Sequence, residues 1–252
     1  CREMRDAVQD AVSGLVGTPE GGEFVCMGAD GTPTKRIDQA AEDIVREYLT
    51  REGICATLVS EECGKVDGGG RRGTVFLDPV DGTYNAVAGI PFYALSLAYA
   101  EGGNILYGFV SNLANNETFE AEKGAGSTCN GRKITVSRTA NLDESAMSIY
   151  GRKFELARMT QIGQKIRRFR LLGASALELC YLASRRVDGF IDLRGTLRVT
   201  DAAAGMLICS EAGGRVSDIE GKNITFPDEV TVGRCLIATN RILHSKVIEY
   251  LR

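Results

Sequence analysis

The stretch Thr74-Val75-Phe76-Leu77-Asp78-Pro79-Val80-Asp81-Gly82-Thr83 runs from a short apolar segment straight into a group of acids. The apolar part has the character of a buried strand, and Pro79 and Gly82 punctuate its end. Asp78 through Thr83 is therefore expected to form a tight turn at the carboxyl end of that strand, where open α/β sheets place ligands. Two carboxylates on so short a turn make a dense negative site suited to hard cations. Gly82 and Thr83 add backbone N–H groups that suit an oxyanion such as phosphate. The chemistry implied is a divalent metal held beside a phosphate. Asp, Pro and Gly are also ordinary turn formers, and solvent-facing acids on a plain turn would carry the same signature. The aspartyl-phosphate pattern D-x-D-G-T does not fit, because its acids stand two apart and here they stand three apart.

Further acids lie where elements begin or end. Asp38 falls in the first turn of a helix expected over about 35–49, with Ile37, Ala40, Ala41, Ile44, Val45, Tyr48 and Leu49 on one stripe and Thr34 as its cap. A carboxylate there also complements the helix dipole, which would be reason enough for Asp38. Glu61 and Glu62 follow a strand expected over 54–59. Asp201 sits at the amino end of a helix, expected to be capped by Thr200, that runs to Ala212 and stops at Gly213-Gly214.

The remaining elements frame these positions. Met4, Ala7, Val8, Ala11, Val12, Leu15 and Val16 give an amphipathic first helix. A Gly-rich loop is expected over 67–73 and short strands over 92–100, 105–112 and 117–121. Asn130-Gly131 signals a hairpin, so the middle of the chain has the look of an antiparallel meander. After a strand at 145–150 come a helix over 154–162, the basic run Lys165, Arg167, Arg168, Arg170, and an alternating segment, 168–172, leading to Gly173-Ala174-Ser175. A helix to about 184, a strand over 187–193, a last strand over 235–238 and a terminal helix capped by Asn240 complete the order. No repeat or long linker interrupts the chain. It is expected to form one compact catalytic unit, with residues 1–140 carrying the first group of acids and 141–252 the second.

The totals narrow the partners. With 252 residues, 44% of them hydrophobic and 25% charged, the chain can build a sizeable core. A formal charge of −3 (30 − 33) gives no electrostatic case for nucleic acid or a membrane surface. No apolar run approaches a membrane span and no signal-peptide pattern opens the chain, although it starts at Cys1, so native residues are expected to precede it. Eight scattered cysteines without C-x-x-C, and one histidine, argue against zinc. Cys55, Cys180, Cys209 and Cys235 lie in apolar runs and suit buried thiols of a reducing cytoplasm.

Together, Glu61-Glu62, Asp78-Pro79-Val80-Asp81-Gly82-Thr83 with Asn85, and Asp201-Ala202-Ala203-Ala204-Gly205 with Glu211-Ala212-Gly213-Gly214 closely resemble the two signature motifs of the inositol monophosphatase superfamily. These are Mg²⁺-dependent, lithium-sensitive sugar phosphatases related to fructose-1,6-bisphosphatase. Thr200 stands where the second motif usually has tryptophan, a departure that resembles the archaeal-type members, which act on both fructose 1,6-bisphosphate and inositol 1-phosphate. The resemblance covers essentially the whole chain and implies an α/β fold, a five-layered α-β-α-β-α sandwich.

It also implies roles. Glu61, Asp78 and the carbonyl of Val80 would hold one Mg²⁺, and Asp78, Asp81 and Asp201 a second. A third ion near Glu61 is found in relatives, and Mn²⁺ can substitute. Thr83 and Asp38 would orient and deprotonate an attacking water, and the backbone N–H groups of Gly82 and Thr83 would hold the phosphate. Asp81 would also accept a bond from a substrate hydroxyl. The sugar pocket would lie beside Gly173, Ala174 and Ser175 and the strand before Asp201, where this chain carries Arg170, Asp192, Arg194 and Arg198. Those arginines either pair with surface acids or bind a distal phosphate bidentately, with Arg194 aimed at the mouth of the site. The resemblance further implies a homodimer acting on a small sugar or inositol phosphate. A phosphatase for NADP or 3′-phosphoadenosine 5′-phosphate, and a non-catalytic sugar-phosphate binder, are the alternatives.

Overall fold

The computed structural model describes residues 1–150 and 156–252. A two-stranded ribbon, β1 (Phe24–Met27) and β2 (Pro33–Lys35), precedes the main body. The large sheet holds β3 (Cys55–Ser60), β4 (Gly64–Asp67), β5 (Gly69–Asp81), β6 (Ala94–Glu101), β7 (Asn104–Asn112), β8 (Thr118–Glu122), β9 (Gly126–Cys129) and β10 (Arg132–Ile134), in the order β10-β9-β8-β7-β6-β5-β3-β4. From β5 to β10 it is the expected antiparallel meander, and only β3 and β5 run parallel. Asn130 and Gly131 take positive φ angles of 49° and 76°, the tight hairpin that the Asn-Gly pair announced. The small sheet holds β11 (Ala146–Ile149), β12 (Arg168–Arg170), β13 (Gly189–Leu197), β14 (Arg215–Ser217) and β15 (Arg234–Thr239), ordered β12-β11-β13-β15-β14.

Helices fill the spaces between and outside the sheets. On one face of the large sheet lie α1 (Arg2–Ser13) and α2 (Arg36–Glu52), whose Met4, Val8, Val12, Ile37, Ala41 and Val45 pack on Val75, Leu77, Leu95 and Leu97. A five-residue helix, α3 (Thr83–Val87), follows β5. The outer face of the small sheet is covered by α4 (Leu156–Gly163) and α7 (His244–Leu251). Between the sheets run α5 (Ser175–Ala183) and α6 (Val199–Glu211). These two are apolar all round because both faces are buried: Ala176, Cys180, Ala203 and Ile208 meet the large sheet, while Leu179, Leu182, Ala202 and Cys209 meet the small one. The sequence is therefore an α-β-α-β-α sandwich, as expected.

Small residues set how closely the central helices approach. On β6 the odd positions facing α1 and α2 are Leu95, Leu97 and Tyr99, whereas Ala94, Ala98 and Ala100 face α5 and α6. A Cβ on Gly108 would stand 2.9 Å from the carbonyl oxygen of Ala204, so the backbone of α6 rests on β7 at a glycine.

Several local expectations change. The Gly-rich segment 67–73 is mostly strand, because β5 begins at Gly69 and pairs there with Cys55. The strand also runs on through Asp81 instead of turning at Asp78. Thr34 does not cap α2: Lys35 holds the cap position, and buried Thr34 donates its hydroxyl to Glu62. Thr200 lies inside the first turn of α6, and Arg198 precedes the helix. Asn240 accepts the Leu243 N–H at 3.1 Å and so closes the turn before α7. Of the helix expected over 154–162, residues 154 and 155 lie outside the described residues. Cys55, Cys180 and Cys209 are buried, whereas Cys235 is half-buried. Among the described residues no helix is long and apolar enough to cross a membrane.

Candidate active site

The acids meet where β3 and β5 end in parallel. A spacing of three would place Asp78 and Asp81 on opposite faces of a regular strand. The ladder to β6 corrects this, since Asp78 pairs with Ser96 and Asp81 with Ala94. Three steps on β5 thus match two on β6, a bulge that returns both carboxylates to the face turned toward α6. Pro79, which has no N–H to donate to the ladder, sits in the bulge. Val80 donates its N–H to Asp78 Oδ1 at 3.1 Å and fixes the carboxylate. Gly82 then takes φ 90°, and a Cβ there would stand 3.1 Å from both Ala174 Cβ and Phe92 O. A side chain there would be strained by the backbone conformation and tightly packed against both neighbours. Asn85 completes the junction by donating to Phe92 O at 2.8 Å and Leu172 O at 2.7 Å. Asn85 thus ties the first motif to the chain at Phe92 and at Leu172, just ahead of α5.

One carboxylate oxygen from each of Glu61, Asp78 and Asp201 lies within 4.8 Å of the others. Asp201 is brought there by the first turn of α6, where its Oδ2 accepts the Arg198 N–H at 3.3 Å. Glu61 Oε1 is buried and ion-pairs with the Arg198 guanidinium. Hard oxygens converging from three carboxylates fit a divalent cation such as Mg²⁺. Asp81 stands apart from the three. Its Oδ1 and Oδ2 accept the N–H groups of Ser175 and Ala176, at 3.1 and 2.7 Å, so it also caps α5.

Burial, and then neighbouring negative charge, raises the pKa of this group of acids. Asp78 is pushed well up by burial and by Asp81 and Asp201, and Glu61 by burial and by Asp78. Burial and Asp201 raise Asp81 to about 8, even though two N–H groups oppose the shift. Asp201 is the exception. Burial raises it too, but the guanidinium of Arg198 prevails and holds it below the usual carboxylate range.

Beside the cluster, Thr83 donates its hydroxyl to Asp38 Oδ1 at 2.9 Å and reaches the carbonyl of Val80 at 3.1 Å. Asp38 Oδ2 accepts the Lys35 N–H at 3.0 Å, so the acid does serve the helix start. It also accepts the Thr83 hydroxyl, which places it beside the cluster. Burial, followed by the charge of Glu62, raises its pKa to about 7.

The arginines fall out differently from the expectation. Arg194 does not present its fork to the mouth of the site: Nε donates to Asp192 Oδ1 at 3.0 Å and Nη2 to Oδ2 at 2.5 Å. Its planar face lies 3.6 Å from the centroid of Tyr150. Among the described residues Nη1 meets no hydrogen-bond partner. Arg198 is not turned to a substrate phosphate; it ion-pairs with Asp30, Glu61 and Asp201. Arg170 is exposed on edge strand β12 and, among the described residues, donates to the neighbouring Phe169 carbonyl at 3.1 Å.

Sequence reasoning missed Asp30, Tyr150 and Glu178. Asp30 was hidden in a turn, and Tyr150 had only its place at the end of a strand. Glu178 is wholly buried on α5, where Oε1 accepts from Ser148 Oγ at 2.5 Å and Leu172 N at 3.3 Å. Its signal was an acid inside the apolar run Ala176-Leu177-Glu178-Leu179-Cys180. Burial raises its pKa to about 8. The folded state thus favours the neutral acid, so stability is full below the unfolded pKa and declines as pH rises toward about 8. Glu178→Gln should melt like the wild type at pH 5 and distinctly higher at pH 9. Parallel melting curves across that range would show Glu178 to be solvated in the folded state.

A sequence model of the inositol monophosphatase family matches residues 8–252. This chain belongs to that family. It is 42% identical to the fructose-1,6-bisphosphatase/inositol-1-monophosphatase of Methanothermobacter thermautotrophicus, over 98% of this chain and 94% of the relative. It is 35% identical to the bifunctional NADP phosphatase/NAD kinase of Methanococcus maripaludis, over 96% of this chain but 46% of that longer protein. A solved inositol monophosphatase-fructose 1,6 bisphosphatase superposes with a TM-score of 0.90 at 30% identity, covering 100% of this chain and 97% of the other. Family membership makes the chain a phosphatase, and in this member the family's motif acids are brought together by a bulge and two helix starts.

Proposed function

We propose that the chain is a Mg²⁺-dependent phosphomonoesterase acting on fructose 1,6-bisphosphate and inositol 1-phosphate. The observation that carries the reading is the convergence of Glu61, Asp78 and Asp201 beside the Asp38–Thr83 hydrogen bond. Glu61, Asp78, Asp201, the Val80 carbonyl and the remaining lone pairs of Asp81 would hold the ions. Bound there, divalent cations would neutralise phosphate charge and lower the pKa of a water. The protein's own part is proton transfer and positioning. Asp38, with its pKa near neutrality, accepts a proton through Thr83 Oγ1 at physiological pH. The Gly82 and Thr83 N–H groups open α3, where they lack intrahelical acceptors and face the phosphate. The sugar lies against Gly173, Ala174 and Ser175, with Asp81 accepting from a hydroxyl and Arg170 and Arg194 Nη1 meeting a distal phosphate.

The NADP phosphatase relative supports a second reading, in which a nucleotide takes the sugar's place. A single assay panel separates the two: fructose 1,6-bisphosphate, inositol 1-phosphate, NADP and 3′-phosphoadenosine 5′-phosphate, with Mg²⁺, with excess chelator and with Li⁺. The sugars should be turned over with Mg²⁺ only and inhibited by Li⁺. Full turnover in chelator would sink the metal requirement, and a strong nucleotide preference the substrate assignment. Arg194→Ala belongs in the same panel. It leaves the carboxylate of fully buried Asp192 unpaired, so a stability loss of roughly 3–5 kcal/mol is expected. A larger KM rise for the bisphosphate than for the monophosphate would place Nη1 on the distal phosphate, and equal rises would reduce Arg194 to scaffold. The reading includes a cytoplasmic homodimer, whose mass gel filtration with light scattering should return as twice that of the chain.

A further inference from the structure

Arg198 is the residue whose surroundings the proposed reaction leaves unexplained. It stands where the chain leaves β13 for α6, and its side-chain partners among the described residues are all acids. Nη1 meets Asp30 and Nη2 meets Glu61; Asp201 receives Nη2 at 3.2 Å and Nε at 3.3 Å. Glu61 and Asp201 belong to the cluster of three oxygens, and Asp30 does not. Asp30 lies on the turn between β1 and β2, held in place by its own N–H to the Glu61 carbonyl at 3.2 Å and by the Ala29 N–H to the Glu62 carbonyl at 3.0 Å. The approach is tight, since a Cβ on Gly28 would stand 2.9 Å from Glu62 Oε2.

Two cations cannot share these oxygens freely. A guanidinium is charged at every accessible pH, and a divalent ion among Glu61, Asp78 and Asp201 would meet it as a like charge in surroundings of low dielectric. Without any cation the buried acids would be uncompensated, which is costly. The same side chain already touches one acid outside the cluster.

We infer that Arg198 is the resident counter-cation of this site, pairing with Glu61 and Asp201 in the metal-free protein and withdrawing onto Asp30 when a divalent ion is held. The inference rests on the metal-phosphatase reading and adds to it. Arg198 acts here as a positioning residue, and the β1–β2 turn supplies its second partner. The turn is thereby linked to metal occupancy through one side chain.

Removal of the competitor and removal of its second partner should shift metal affinity in opposite directions. The test uses the full chain, Mn²⁺ as the probe, calorimetry for affinity, and melting in chelator and in Mn²⁺. Arg198→Gln should bind Mn²⁺ about tenfold more tightly, an ordinary size for coupling between two ligands. It should also melt lower than the wild type in chelator and gain more on adding Mn²⁺. Asp30→Asn should bind Mn²⁺ about tenfold more weakly, because the guanidinium keeps Glu61 and Asp201. If Arg198→Gln does not fold, Asp30→Asn decides alone. Unchanged or tighter binding by Asp30→Asn, or unchanged or weaker binding by folded Arg198→Gln, overturns the inference and leaves the metal reading standing. A wild type that binds no Mn²⁺ overturns both.

Discussion

Asp78→Asn and Asp201→Asn should each lose roughly 10²–10³ in kcat/KM, the scale of removing one well-placed electrostatic group, and yet move metal-free stability in opposite directions. Both remove one carboxylate charge from the cluster of three. Asp78 is buried among acids, with Asp81 and Asp201 as its nearest sources of repulsion. Its replacement by a neutral isostere relieves that repulsion while Asn can still accept the Val80 N–H. The melting temperature in chelator should therefore hold or rise. Asp201 is different, because it is the acid that Arg198 stabilises. Its loss takes an anion from the guanidinium, so the metal-free protein should melt lower. Melting in chelator beside steady-state kinetics in Mg²⁺ checks both halves. Equal drops in melting temperature would mean that the acids are held by packing alone.

Asp38→Asn should lower kcat by roughly 10²–10⁴, the usual contribution of a positioned general base. In the wild type, kcat/KM should climb as pH rises through about 7, since the acid must be ionised to accept a proton. The groups that set this position are Glu62, which raises the pKa, and Thr83 and Lys35, which lower it. Stability should run the other way. A carboxylate with a raised folded pKa contributes fully below its unfolded value near 3.8 and loses that contribution as pH climbs to about 7. Asp38→Asn should thus flatten the pH–rate profile and melt higher than the wild type at pH 8. Such a trade is expected where a site holds an acid in surroundings that disfavour its charge. A variant with an unaltered pH–rate profile would remove Asp38 from the proton path.

Much of the scaffold was legible because it is written in local pattern. Met4, Val8 and Val12 announced α1 by helical spacing, and Asn130-Gly131 announced its hairpin by the positive φ angles both residues adopt. The failures at helix starts share one cause. Thr34 and Thr200 are good cap formers by residue type, but Asp38 and Asp201 accept the N–H groups of Lys35 and Arg198 from inside the first turn. That left Thr34 to donate to Glu62, a partner 28 residues away.

The sequence by itself determined which residues are candidates for the chemistry, namely the acids of the two motifs, Gly82 and Thr83, and the structure added the reason for the glycine, a φ of 90° close against Ala174. The five layers followed from the family resemblance of the motifs, and the double burial of α5 and α6 that makes them central became visible only in the fold. Only the tertiary structure decided how the charges pair. Asp30 and Arg198 are 168 residues apart, and neither neighbourhood hints at the other. Arg194 was free, on the sequence, to serve a substrate or an acid, and burial of Asp192 beside it chose the acid. The physical reason is the same in each case. A charge taken out of water must find an opposite charge or a metal, and which one it finds depends on what the fold buries with it.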